Sequence, residues 1–264
     1  MMADEMDDFL NSFYFNTLAG DFKDGTNPRL YGGIFGYDRF VDDLLIGTYF
    51  SYANSKSYNV ELKSNIYELG FYTRYFMDSN EFDFNLAGGY GNLEQNLDRY
   101  FNSKFDIGYM SFGLGYGYRV SLNEKTSIKP YIGADYLYFK SEDYILKDKN
   151  SYETQKVQSN TAKNLKAKIG LETIQEFNDF SLYTDLKIKR DLIVDDGVIR
   201  SSFTSSNAGF IIDSKDKKHT NFAIDTGVLY IVNKNLSINL NLGADINSDD
   251  KLYSANFGLS YRFN

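Results

Sequence analysis

One period governs the last thirty residues, and few folds can satisfy it. Leu236, Ile238, Leu240, Leu242, Ala244 and Ile246 are apolar, while Ser237, Asn239, Asn241, Gly243, Asp245 and Asn247 between them are polar or glycine. Alternation of this kind places successive side chains on opposite faces of a strand. After Asn247-Ser248-Asp249-Asp250 it resumes, with Ala255, Phe257, Leu259, Tyr261 and Phe263 facing one way and Ser254, Asn256, Gly258, Ser260 and Arg262 the other. Such strands can cover a soluble core, or they can face lipid outside and water inside.

The same alternation recurs upstream. Phe13, Phe15, Thr17 and Ala19 share a face, as do Leu44 to Tyr52, Tyr67 to Tyr75, Phe82 to Tyr90 and Met110 to Val120, each read at every second residue. Ile128 to Tyr138, Leu165 to Leu171, Phe180 to Ile188 and Phe222 to Tyr230 follow. Short links fall at Val41 to Asp43, Asp78 to Asn80, Leu122 to Lys125, Phe177 to Asp179 and Val232 to Asn235. Longer polar links fall at Asp21 to Arg29, Lys56 to Lys63, Asn92 to Asn102, Glu142 to Thr161 and Asp191 to Thr220. Short and long alternate if Ser201 to Asp213 is an excursion within a loop rather than a strand of its own. The reading is all-β: a transmembrane antiparallel up-and-down barrel of about 12 strands, with short turns and both chain ends at the periplasmic rim.

Composition bears on the alternatives. The 264 residues include 23 Tyr and 22 Phe but no Trp, no Cys and only two Pro, which favours extended aromatic strands and excludes disulfides and cysteine metal sites. No run of about 18 apolar residues exists, so a membrane-spanning helix is excluded and a barrel is not. A formal charge of -8 argues against nucleic acid as a partner. A soluble sandwich would show charge outside. Here the polar face carries Gly, Asn and Ser with both signs of charge, suited to a wet lumen, and we expect Arg74, Arg119, Lys166, Lys168, Glu172, Asp185, Asp225 and Asp245 to line it. Tyr75, Phe76, Tyr138, Phe139, Tyr230, Tyr253 and Phe263 suit girdles at the interfaces with outer-membrane lipid. The acidic opening Met1 to Asp8 has no signal-peptide pattern, so the reading expects a C-terminal piece of a longer precursor.

Several stretches resemble autotransporter β-domains. They are Gly33-Ile34-Phe35-Gly36-Tyr37-Asp38-Arg39, then Leu45 to Tyr52 ending in Asn54-Ser55, then Gly113 to Arg119, Lys129 to Gly133, and the closing Phe257 to Phe263. The resemblance covers almost the whole chain from about Ser12. It implies a 12-stranded type V secretion translocator in the bacterial outer membrane, delivering an N-terminal passenger to the cell surface while a linker helix occupies the pore. It further implies that residues 1–11 are a linker or the remnant of that helix, that 12–264 form the barrel, and that Leu259, Tyr261 and Phe263 belong to the signal read by the barrel assembly machinery. Asn264 follows the aromatic that usually ends that signal. Self-cleaving members carry paired asparagines in the pore helix, whereas Asn11 stands alone.

Catalysis is not expected. The single histidine, His219, ends the lysine-rich stretch Lys215-Asp216-Lys217-Lys218-His219, with Asp213 and Asp216 near enough in sequence to orient an imidazole. A solvated loop residue is the simpler reading. Asp195-Asp196-Gly197 and Asp249-Asp250 lack calcium-loop spacing and read as turns, so no cofactor or metal is expected. A function of a different class is a stand-alone outer-membrane channel or a surface adhesin working through its long loops.

Overall fold

The computed structural model describes residues 10–23, 27–57, 61–97, 101–148, 154–206, 208–213 and 217–264. In chain order the strands are β1 (Asn11–Lys23), β2 (Pro28–Val41), β3 (Leu44–Ser57), β4 (Leu62–Met77), β5 (Asn80–Leu97), β6 (Phe101–Tyr118) and β7 (Val120–Asn123). There follow β8 (Thr126–Ser141), β9 (Tyr144–Asp148), β10 (Thr154–Val157), β11 (Thr161–Glu176), β12 (Phe180–Asp195) and β13 (Val198–Phe203), then β14 (Gly209–Asp213), β15 (Thr220–Ile231), β16 (Leu236–Ile246) and β17 (Lys251–Phe263). Among the described residues there is no helix. Residues 1–9, where a pore helix was expected to begin, lie outside the described residues. Leu10 is irregular and Asn11 already opens β1.

Twelve staves close into a ring. β1 pairs with β2 from Asn11↔Arg39 to Asp21↔Arg29 and with β17 from Asn11↔Phe263 to Lys23↔Lys251, so neither end of the sheet is left open. Each neighbouring pair is antiparallel, with β6 and β7 forming one stave on either side of Arg119. The short strands β9, β10, β13 and β14 pair with one another above the rim opposite the chain ends, so Val198 to Asp213 is an excursion and not a stave.

Strands run further than the polarity of their ends suggests. The links expected at Asp21 to Arg29, Lys56 to Lys63 and Asn92 to Asn102 are strand at both ends: β1 runs to Lys23 and β2 starts at Pro28, β3 runs to Ser57 and β4 starts at Leu62, and β5 continues to Leu97 while β6 starts at Phe101. Each backbone there is satisfied by its neighbour rather than by water, so polar side chains on both faces do not end the ladder. The opposite rim turns tightly. Asp42 and Asp78 take positive φ (52° and 53°), a conformation that short polar side chains tolerate in two-residue hairpins. At Val232 to Asn235 the Asn233 carboxamide oxygen accepts the amides of Asn235 and Leu236, each at 2.9 Å.

Burial is inverted relative to a soluble domain. The buried apolar residues are few and mostly small (Ala53, Ala87, Ile107, Val157 and Ala223), whereas Glu81 and Lys129 are each only 2% exposed. Leu69 is 64% exposed, Leu240 49% and Leu242 54%, on an outward face that continues from stave to stave. Aromatic girdles follow the same parity. Tyr75, Phe82 and Tyr116 form an outward row near the short-turn rim, with centroids 6.4 and 5.1 Å apart. Phe76 and Phe139 are corrections to the girdle: adjacent in sequence to outward Tyr75 and Tyr138, they fall on the inner parity.

Inside, tyrosine rings lie across glycines directly opposite them. Tyr49 covers Gly70, Tyr72 covers Gly47, and Tyr14, Tyr109 and Tyr131 cover Gly36, Gly89 and Gly170. A Cβ at Gly70 would stand 2.2 Å from Tyr49 ring carbons, so no side chain fits without moving the ring. Gly70→Ala is expected to cost about 1–3 kcal/mol in urea unfolding from vesicles. Tyr49→Ala in the same chain should recover most of that loss, and failure to do so would remove the steric explanation.

Candidate functional site

Side chains of the inner face reach past their nearest neighbours. Lys129 on β8 contacts Glu81 on β5 across the intervening stave, with Nζ 2.7 Å from Oε2. Arg119 reaches Glu172 on β11 at 2.7 Å, and Lys189 on β12 reaches Asp245 on β16 at 2.7 Å. Tyr131 donates to Asp185, Tyr72 to Asp38 and Tyr109 to Glu68, at 2.8, 2.8 and 2.7 Å, each across a stave. Two stave spacings amount to about 10 Å, which only the converging concave side can bridge with direct hydrogen bonds.

Glu81 is the hub. Its carboxylate accepts Arg119 Nε at 2.5 Å and Lys129 Nζ at 2.7 Å, with Arg74 Nη1 at 3.9 Å. Lys129 also reaches Glu172 at 3.1 Å, and Arg74 Nε holds Asp83 at 2.5 Å. The charges thus form one lattice over β4, β5, β8 and β11, anchored at Arg119 between β6 and β7, whose amide donates to Ser79 O at 2.7 Å. A second group lies further round: Lys187 bridges Asp185 (2.8 Å) and Asp225 (2.7 Å), Lys168 holds Asp135 (2.7 Å), and Lys166 approaches Asp191 (3.6 Å).

All eight residues singled out from sequence have an opposite charge within 4.0 Å. Arg119 meets Glu172, Asp185 and Asp225 meet through Lys187, and Arg74, Lys166, Lys168 and Asp245 pair with residues outside the set. Glu81 and Asp191 were missed. Glu81 stands two residues before Asp83 on the same parity, which was the available signal. Asp191 falls in a stretch whose polarity suggests a loop, but β12 continues past it through a register shift opposite Leu165/Lys166, and Asp191 accepts His219 N at 2.8 Å and Asn164 Nδ2 at 3.1 Å.

Between the charged groups, β16, β17 and β1 present a neutral asparagine patch. Asn241 donates to Asn239 and to Asn256, each at 3.1 Å, and Asn239 donates to Asn16 at 3.4 Å. At the short-turn rim, Leu10, Asp38, Arg74 and Arg262 line a cleft of 260 Å³ beside the start of β1. Of the expected C-terminal signal, Leu259 and Tyr261 face outward, and Phe263 stacks on Phe13 with centroids 5.2 Å apart. His219 sits away from the lattice with Nδ1 3.7 Å from Asp249 in the β16–β17 turn. The Asp249 carboxyl is held below its usual range, chiefly by its hydrogen bond from Lys217. Asp216, and the side chain of Asp213, lie outside the described residues.

Comparison with known proteins decides what this barrel is. The family described as "Vacuolating cytotoxin autotransporter VacA, C-terminal domain" matches residues 1–263. The chain belongs to this family. Solved structures agree on the fold. The translocator domain of autotransporter NalP from Neisseria meningitidis superposes with a TM-score of 0.77 at 15% identity, over 99% of this chain and 92% of that one. The transport unit of AIDA-I from Escherichia coli gives 0.69 at 15% identity, covering 97% and 90%. The β domain of the Bordetella autotransporter BrkA gives 0.67 at 14% identity, covering 96% and 100%. No curated protein sequence matches significantly. As an autotransporter C-terminal domain, the chain is an outer-membrane β-barrel translocator associated with a passenger.

Proposed function

We propose that the passenger segment preceding the barrel is led through the lumen along the wall formed by Arg74, Arg119, Lys166, Lys168, Glu172, Asp185, Asp225 and Asp245, and that this wall afterwards holds the linker and closes the pore. The observation that carries the reading is the lattice around Glu81. Cations and carboxylates there are already paired, so an incoming peptide meets a wall of satisfied charges that it can exchange with one at a time rather than a single strong trap. Its entry point is the cleft beside Leu10, where the preceding segment joins β1.

The outward apolar belt supports anchoring in lipid. Outward Leu259 and Tyr261 on the last stave support their recognition by the barrel assembly machinery before closure against β1. The reading assigns no bond-breaking chemistry to the chain.

A reporter fused ahead of Met1 is expected to become accessible to external protease in intact cells, and retention inside would overturn export. In planar bilayers, low conductance should rise on removal of residues 1–10, which leaves β1 whole. An unchanged, high conductance would instead favour a stand-alone channel.

A further inference from the structure

Charge on the inner face does not balance. At the stave positions that share the face of Tyr49, Tyr72, Tyr109 and Tyr131 stand eight cations and eleven carboxylates, all among the described residues. Seven of those cations lie within 4.0 Å of eight of the carboxylates. The eighth, Arg262, shares the cleft at the short-turn rim with Asp38. Glu176 ends β11 at that same rim, so Glu68 is the carboxylate left over inside the bore. The short-turn mouth has the same sign as the surplus: its turns carry Asp42, Asp43, Asp78, Glu124 and Asp179 against Lys125 and Lys234.

The surroundings of Glu68 hold its charge in place without cancelling it. It lies midway along β4, half-buried, and its two oxygens accept the Tyr49 hydroxyl at 2.8 Å and the Tyr109 hydroxyl at 2.7 Å. Those phenols come from β3 and β6, with their rings seated on Gly70 and Gly89, so the carboxylate is oriented from both sides. Neutral hydroxyls orient an anion and leave its charge whole. A bore and a mouth of one sign, walled by low-dielectric protein and lipid, concentrate the opposite ion. From this surplus we infer that the lumen, when no peptide fills it, conducts cations in preference to anions, and that Glu68 is the residue that sets the preference. The inference rests on the aqueous lumen of the translocator reading and adds ion selectivity to it.

The test is the reversal potential across a planar bilayer in a potassium chloride gradient centred on about 0.1 M, where a charge is felt over about 10 Å. It uses residues 11–264, because every stave lies within Asn11–Phe263 and Asp4, Glu5, Asp7 and Asp8 would otherwise add to the charge of the wall. One uncompensated charge about 6 Å from a passing ion changes its local concentration about twofold at this salt, up for potassium and down for chloride, so the permeability ratio should be about four. Glu68→Gln, which keeps an acceptor for the tyrosines, should bring the ratio close to one, and Glu68→Lys should invert it. Glu94→Gln on the outer face should leave it unchanged. A parent ratio of one or below, or a ratio that Glu68→Gln does not move, would overturn the inference, as would a folded barrel that passes no ions. Heat-modifiable migration on gels reports folding and external protease reads export of the reporter, so each of these outcomes is separable from a failure of the translocator assignment.

Discussion

Lys129→Ala is expected to lower the unfolding free energy of the barrel by about 3–5 kcal/mol, because it leaves two buried carboxylates, Glu81 and Glu172, sharing the guanidinium of Arg119. The Lys129 side chain is 3% exposed, and its ammonium lies 2.7 Å from Glu81 and 3.1 Å from Glu172. Arg119 alone cannot replace it, since its guanidinium is already committed to both acids. Breaking one partner of a buried group is costly, whereas replacing the group by apolar residues of similar volume is often neutral. Lys129→Met with Glu81→Gln should therefore recover part of the loss. Urea unfolding from vesicles, with the slope unchanged, measures both, and a loss below about 1 kcal/mol for Lys129→Ala would mean that water reaches the lattice freely.

Leu240→Arg is the second large effect. Leu240 lies midway along the outward series of β16, so an arginine there meets hydrocarbon at the centre of the bilayer and should cost about 2–4 kcal/mol. Ile246→Arg on the same face, at the extracellular end of the strand, should cost about 0–1 kcal/mol. The depth dependence distinguishes lipid from a protein core, in which both positions would be penalised. Equal costs at Leu240 and Ile246 would count against a bilayer around this wall.

The alternation and the order of short and long links made the staves, their parity and the closure legible. Period two is a local property, and a sequence displays it. Register is not local. Nothing in the order of residues places Lys129 against Glu81 or Tyr49 over Gly70, because those contacts depend on how far each stave slides past its neighbour and on the curvature of the closed sheet. Link lengths are hidden for a related reason: the polarity of Asn92 to Asn102 suggests a loop, yet β5 and β6 pair from Asn92↔Asp106 to Leu97↔Phe101 irrespective of what their side chains face. Glu81 escaped notice because it sits at the edge of a turn, and Asp191 because a register shift follows it.

Which face of the wall meets lipid decides the sign of each of these effects. The chain has no cysteine, so single cysteines at the adjacent positions Leu240 and Asn241 report the two faces without background. In vesicles, a probe on Leu240→Cys should be quenched by brominated lipid and protected from water-soluble maleimide, while one on Asn241→Cys should show the opposite pattern. The same response at both positions, or the pattern reversed, would contradict the barrel described here.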